Sequence, residues 1–243
     1  MAQFVFMHGG GQGGWVWDET VAAIGRQSGG TARCLALDGP GCGAKRTRET
    51  GSLSFEDINR ELVADIEATG MTDVVLVGHS QAGVHLPAMA ALRPDLFRKL
   101  VFVTCIAPDP GLTVVEMTGK RMREHGHTPG SRALTDEAMS MRERYRVMFC
   151  NDMGPEQAEA FLDKLGGDQW PPSCYTHNEW PYHHLADMPV SYVVCLDDAI
   201  LPSEWQHRFA DRVHARQVVR IDAGHQVMNT RPEALAEVLL AQA

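Results

Sequence analysis

Read for the pattern of apolar and polar positions, the chain falls into short apolar runs separated by longer stretches of helix-like spacing. The runs are Gln3-Phe-Val-Phe-Met7, Ala32-Arg-Cys-Leu-Ala-Leu-Asp38, Val74-Val-Leu-Val77, Lys99-Leu-Val-Phe-Val-Thr-Cys-Ile106, Val190-Ser-Tyr-Val-Val-Cys-Leu196 and Gln217-Val-Val-Arg-Ile-Asp222. They are mostly continuous rather than alternating and rich in β-branched residues, as strands buried on both faces of a parallel sheet are. Helical stretches lie between them. One begins near Asp18; another opens at Ser54, a plausible N-cap with Asp57 at the third position, and places Phe55, Ile58, Leu62, Ile66 and Thr69 on its inner face. A last helix starts at about Pro232 and carries Leu235, Val238 and Leu239. The helix after Ser80 contains Pro87, which predicts a kink there. Strands alternating with helices define an α/β class with a mostly parallel central sheet and helices on both faces.

No strand-like run falls between Ile106 and Val190. Residues 110–188 read instead as helices over Leu112 to Glu124, Asp136 to Cys150 and Pro155 to Leu165, followed by an irregular Trp170-Pro-Pro-Ser stretch. An insertion of this length between parallel strands is expected to cap the strand ends, where ligands bind in such sheets. The domain reading is a core of residues 1–109 and 189–243 with a helical cap of 110–188 inserted in it. Seven of the twelve methionines lie in the cap, which suits an apolar, adaptable pocket.

Composition changes this picture little. With 243 residues, 44% hydrophobic and 22% charged, the chain is ordinary globular material for one domain. A net charge of −9 argues against a nucleic-acid partner. No run reaches the roughly 20 apolar residues of a membrane span, and no leader pattern precedes the first strand, so a cytoplasmic protein without a membrane partner is expected. The six cysteines lack regular spacing and read as buried thiols, and the scattered histidines lack metal-ligand spacing, so neither a metal nor another cofactor is expected. Oligomeric state is left open, with a homodimer among the alternatives.

Chemistry enters with Gly78-His-Ser-Gln-Ala-Gly83, directly after an apolar strand. Small residues around a serine at a sharp strand-to-helix turn form a nucleophile elbow, which holds the hydroxyl of Ser80 above the sheet and uses the backbone N–H of the next residue, Gln81, to meet an oxyanion. The loop His8-Gly-Gly-Gly-Gln-Gly-Gly-Trp15 follows the first strand. It has a dinucleotide-binding reading, since Gly9, Gly11 and Gly14 fit G-x-G-x-x-G and Asp38 ends the next strand. A His-Gly loop that presents a backbone N–H to an oxyanion explains Ser80 as well. The acid belongs after the Val190 to Leu196 strand, at Asp198 or Asp197. Asp198 is preferred because it stands four residues before Pro202, and His225 follows the last strand. The chain order Ser80, Asp198, His225 is the order of an α/β-hydrolase triad.

On these pieces, together with Val101-Phe-Val-Thr-Cys-Ile-Ala-Pro-Asp109 and Cys195-Leu-Asp-Asp-Ala-Ile-Leu-Pro202, the chain resembles the α/β-hydrolases over nearly its full length. It is most similar to the plant and bacterial esterases that group with methylesterases and hydroxynitrile lyases. The resemblance implies an α/β-hydrolase fold, ester hydrolysis through an acyl-serine, and Gly10 as the second backbone donor to the oxyanion. The partner expected is a small-molecule ester or lactone with an apolar or aromatic group, because loops at the strand ends face the nucleophile and the cap offers methionines and aromatics. Gly9, Trp15, Ile106, Met148 and Trp170 are candidate pocket residues, with Trp15 alternatively a core residue anchoring its helix. Members often carry a second histidine where this chain has Gln12. Hydroxynitrile lyases have a threonine where Gly9 stands and a lysine where Gln226 stands, which sets lyase chemistry apart. A non-catalytic receptor on the same fold is the remaining alternative.

Overall fold

The six apolar runs become six strands: β1 Gln3–Met7, β2 Arg33–Ala36, β3 Val74–His79, β4 Phe97–Val103, β5 Val190–Cys195 and β6 Gln217–Ile221. In the computed structural model, which describes residues 1–126 and 128–243, they form one parallel sheet in the order β2-β1-β3-β4-β5-β6. β3 is central and buried along its whole length, with Leu76 in register between Val5 of β1 and Leu100 of β4. Successive side chains of a strand point to opposite faces, so the sheet builds two cores. Val5, Leu76, Leu100, Phe102 and Tyr192 face one side, against α2 Phe55–Ala68, α3 His85–Leu92 and α9 Ser203–Arg212. Phe4, Phe6, Val75, Val77 and Val101 face the other, against α1 Asp18–Gln27 and α11 Pro232–Leu240.

Local sequence accounts for several boundaries. Ser54 accepts from the Asp57 N–H while the Asp57 side chain accepts from the Ser54 N–H, a reciprocal cap that fixes the start of α2. The expected kink at Pro87 takes another form. After β3 the chain makes a 3₁₀ turn, Ser80–Val84, and α3 begins only at His85, so Pro87 lies in the first turn, where its missing N–H would have had no intrahelical partner.

The segment between β4 and β5 is more broken than its periodicity predicts. In place of one helix over 112–124 there are α4 Val114–Glu116, a π turn over Met117–Arg121 and a 3₁₀ turn over Arg123–His125. The second expected helix, 136–150, is shorter: α6 Met141–Phe149 starts only after its Ser140 cap, and an additional helix, α5 Pro129–Thr135, capped by Thr128, precedes it where no helix was expected. α7 Pro155–Lys164 stands as expected, and α8 Ser173–Thr176 forms within the Pro-rich stretch. Farther on, Tyr182 donates to the Pro108 carbonyl and Leu185 is fully buried in the core shared with α2 and α3. A short α10, Val227–Thr230, precedes α11.

Candidate active site

Ser80 stands at the C-terminal end of the central strand with φ of 55°, a left-handed conformation that costs an ordinary residue about 1–2 kcal/mol. The surroundings enforce it. A Cβ on Gly83 would stand 2.1 Å from the Ile106 carbonyl oxygen, so the turn closes only with glycine there, and the Ile106 N–H donates to the Ser80 carbonyl at 3.0 Å. Thr104, just past β4, is likewise left-handed, with φ of 38°. Two strained residues therefore flank one point above the sheet.

His225 arrives on the loop after β6. Its Nε2 lies 2.9 Å from Ser80 Oγ and its Nδ1 lies 2.6 Å from Asp198 Oδ2, and the side chains of His225 and Asp198 are fully buried. Asp198 is held from several sides: the N–H groups of Ile200 and Leu201 donate to Oδ1 at 2.7 and 2.8 Å, and the Thr104 hydroxyl donates to Oδ2. A carboxylate fixed this way keeps the imidazole proton on Nδ1 and leaves the Nε2 lone pair toward Ser80. Asp197 faces outward. Its backbone N–H donates to the Ala223 carbonyl and its own carbonyl accepts from Asn151, so it anchors the loop through its main chain.

Three histidines behind the serine are buried and kept uncharged. His79 donates from Nε2 to the His225 carbonyl at 2.9 Å, and burial together with the neighbouring His225 ring holds it well below its usual range. His8 accepts from the Gly39 N–H at Nε2, which leaves its Nδ1–H to donate to the Gly9 carbonyl; burial lowers its pKa as well. His85 is pushed down to about 3 by burial and sits between the rings of Trp170 and Phe55.

The His8 loop runs against the serine. A Cβ on Gly9 would be 2.9 Å from Ser80 Cβ and 3.0 Å from His79 Nδ1, so only glycine lets the loop lie this close. Trp170, from the segment between β4 and β5, fastens it by donating from Nε1 to the Gly9 carbonyl at 3.1 Å. Gly10 and Gln81 both border the space above Ser80, where two cavities adjoin. The smaller, about 150 Å³, is walled by Ile106, Val114, Met148, Phe149 and Leu201; the larger, about 710 Å³, by Met141, Met148, Phe149, Leu165, Trp170 and Tyr175. Ile106, Met148 and Trp170 thus stand where the sequence puts candidate walls, whereas Gly9 lies beneath the serine.

Trp15 does not reach this space. The 3₁₀ turn Gly14–Trp17 carries its ring to Phe161 and Lys164, and its indole N–H donates to the buried Asp168 at 3.0 Å. It lines a separate cavity of about 190 Å³. Gln12 is fully buried beside Gly9, and neither of its polar side-chain atoms has a partner among the described residues. Thr104, Phe149 and Tyr175 were missing from the sequence reading of the site. Thr104 ends the strand beside the elbow strand, but nothing local marks it as a partner of Asp198; Phe149 and Tyr175 carry no local pattern that distinguishes them from the packing of the segment between β4 and β5.

A parallel sheet with a strained serine at the end of its central strand, followed by an acid and a histidine on later strand-end loops, is an α/β-hydrolase arrangement, and the chain belongs to the alpha/beta hydrolase family, whose model matches residues 4–238. Among its relatives is the carbendazim hydrolyzing esterase of a Nocardioides species, 27% identical over 250 aligned positions that cover 99% of each chain. A pyrethroid hydrolase from Sphingobium wenxiniae is 26% identical, over 98% of this chain and 86% of its own. Among solved structures, an extracellular alpha/beta-hydrolase from a Paenibacillus species superposes with a TM-score of 0.80 at 20% identity, covering 99% of this chain and 98% of its own. Ester hydrolysis is accordingly the class of chemistry to which this chain belongs.

Proposed function

We propose that the protein hydrolyses small to medium carboxylic esters or lactones bearing an apolar or aromatic group, with Ser80, His225 and Asp198 as its catalytic triad. The observation that carries this reading is the unbroken hydrogen-bonded line from Ser80 Oγ through His225 to Asp198, at 2.9 and 2.6 Å. His225 Nε2 takes the Ser80 proton as Oγ attacks the ester carbonyl, then returns it to the departing alcohol. Water, activated the same way, releases the acid from the acyl-serine. Asp198 holds the tautomer and stabilises the imidazolium. The backbone N–H groups of Gly10 and Gln81 stabilise the oxyanion; removal of one such donor typically costs about 10²–10³ in rate.

The substrate class rests on the walls. Methionine, leucine and aromatic side chains dominate both cavities, and the one carboxylate on them among the described residues, Asp168, is engaged by Arg46, Trp15 and the Gly43 N–H. An ester that also bears a free carboxylate would lose the hydration of that charge there without meeting a cation among the described lining residues. Two relatives are named for hydrolysing carbendazim and pyrethroids, in keeping with this class.

The test is a panel of p-nitrophenyl esters of increasing acyl length, followed by methyl esters and lactones of aromatic acids, against wild type and Ser80→Ala. Hydrolysis that disappears in folded Ser80→Ala, with higher kcat/KM for hydrophobic than for carboxylate-bearing esters, is the expected result. Activity persisting in Ser80→Ala would remove the nucleophile assignment, and a preference for the charged set would remove the substrate class.

A further inference from the structure

Thr104 combines features that rarely coincide: it is fully buried, it is β-branched, and its φ of 38° is left-handed, where a branched side chain crowds the following carbonyl. If the chain needed only to turn out of β4, glycine or asparagine would do so at less cost. Such strain persists where the surroundings enforce it, and it clusters where function uses the residue. Here the Thr104 N–H donates to the Val193 carbonyl of β5 at 2.9 Å, and the hydroxyl donates to Asp198 Oδ2. That hydroxyl completes the acid. Oδ1 of Asp198 takes the N–H groups of Ile200 and Leu201, while Oδ2 takes Thr104 and His225. A carboxylate offers about four acceptor positions, so Thr104 fills the one beside His225. Without it both main-chain anchors lie on Oδ1, and Oδ2, with the imidazole it holds, can pivot about them. The next two residues reach the nucleophile. Cys105 donates from Sγ to the Gly78 carbonyl and accepts at its own carbonyl from the Tyr192 hydroxyl, and the Ile106 N–H donates to the Ser80 carbonyl at 3.0 Å. Residues 104–106 therefore tie the acid to the serine turn by a route that bypasses His225.

We propose that Thr104 is a positioning residue of the triad: its hydroxyl fixes Asp198 Oδ2, and through it His225 Nε2, relative to Ser80 Oγ, and the left-handed backbone at 104 is retained for that donation. The proposal rests on the reading of Ser80, His225 and Asp198 as a catalytic triad. Thr104 has no exposed surface and is not among the described residues that wall either cavity. Its effect therefore falls on proton transfer rather than on substrate binding. Misplacing a catalytic group by about 1 Å can lower a rate by about 10²-fold, and since the two main-chain donors to Asp198 remain, a loss of about tenfold is expected here.

Three substitutions test this. Thr104→Val keeps the shape and removes the hydroxyl, Thr104→Ser keeps the hydroxyl and removes the methyl, and Thr104→Ala removes both with less crowding at positive φ, so it serves if Thr104→Val does not fold. For each, kcat and KM are measured with p-nitrophenyl butyrate, and the downfield proton resonance of His225 Nδ1–H, assigned by its loss in His225→Gln, is recorded without substrate. The expected result is a fall in kcat of about tenfold in Thr104→Val and Thr104→Ala with KM changed by less than about twofold, while Thr104→Ser keeps kcat within about threefold. The resonance is displaced in Thr104→Val and Thr104→Ala and returns to its wild-type position in Thr104→Ser. A residue that serves packing alone gives the opposite order, with Thr104→Val close to wild type and Thr104→Ser the more damaged. That order, a loss carried by KM, or a resonance unmoved by Thr104→Val and Thr104→Ala would overturn the proposal. Because the resonance needs no turnover, a protein that cleaved none of the esters yet showed the displaced line would count against the proposed function and not against the role of Thr104.

Discussion

Asp198 and Asp197 are adjacent in the chain and face opposite ways: one is buried against His225 and Thr104, the other lies exposed and engages the described residues through its main chain. Asp198→Asn should therefore lower kcat by about 10⁴, by favouring the wrong imidazole tautomer, whereas Asp197→Asn should change it by about twofold or less. Steady-state kinetics on the two variants checks this, and the reverse ranking would move the acid to Asp197. At this scale much of the candidate site was legible. Gly78 to Gly83 follows a buried strand, and the spacing of Asp198 to Pro202 favoured it over its neighbour. Thr104 was not legible, because a threonine after an apolar strand has many uses and its donation to Asp198 spans 94 positions. Trp15 was open between a pocket wall and a core residue anchoring its helix. Only Asp168, 153 positions later and holding its N–H, decides between the two.

At the level of elements, the segment between β4 and β5 is fastened to the rest of the protein by a few polar contacts as well as by packing. Asp168 is the main one, taking hydrogen bonds from Trp15 Nε1, the Gly43 N–H and Arg46 Nε. Its side chain has no exposure while that of Arg46 is 48% exposed, so the two partners are not equivalent. Asp168→Ala leaves the half-buried Trp15 and Gly43 donors without their acceptor and should destabilise by about 2 kcal/mol, whereas Arg46→Ala leaves Asp168 with its other donors and should shift the melting temperature less. Thermal melts of the two variants decide it; equal shifts would mean that the ion pair alone fastens the segment. The strands and core helices were legible here because continuous apolar runs and a capping box are strong local signals. The first helix after β4 was less so. Gly119 weakens it from within, and the Thr118 hydroxyl bonds back to the Val114 carbonyl, so an apparently periodic stretch breaks into α, π and 3₁₀ turns.

For the molecule as a whole, the buried neutral histidines set the response to acid. His8, His79 and His85 all have pKa values lowered by burial, and His85 lies at about 3. Their unfolded value is near 6.5. The folded state therefore binds fewer protons than the unfolded state below that pH, so stability is fully present above about 6.5 and is lost as pH falls toward the folded values. Each such group contributes a slope of about 1.4 kcal/mol per pH unit within its window. Denaturant titrations between about pH 6 and pH 4 should show this slope, and His85→Phe should flatten it by about one proton; an unchanged slope would mean that His85 does not titrate as its burial implies. Nothing local in the sequence marks these three, since the ring contacts of His8 and His85 with Trp170 cross 162 and 85 positions by number and exist only once the sheet and the segment above it have assembled. The central claim, that this assembled site works through an acyl-serine, is tested most directly by labelling with a fluorophosphonate and mapping the adduct by mass spectrometry. The account predicts a single adduct on Ser80, absent in Ser80→Ala and formed much more slowly in His225→Ala; an adduct on another residue, or labelling undiminished in His225→Ala, would contradict it.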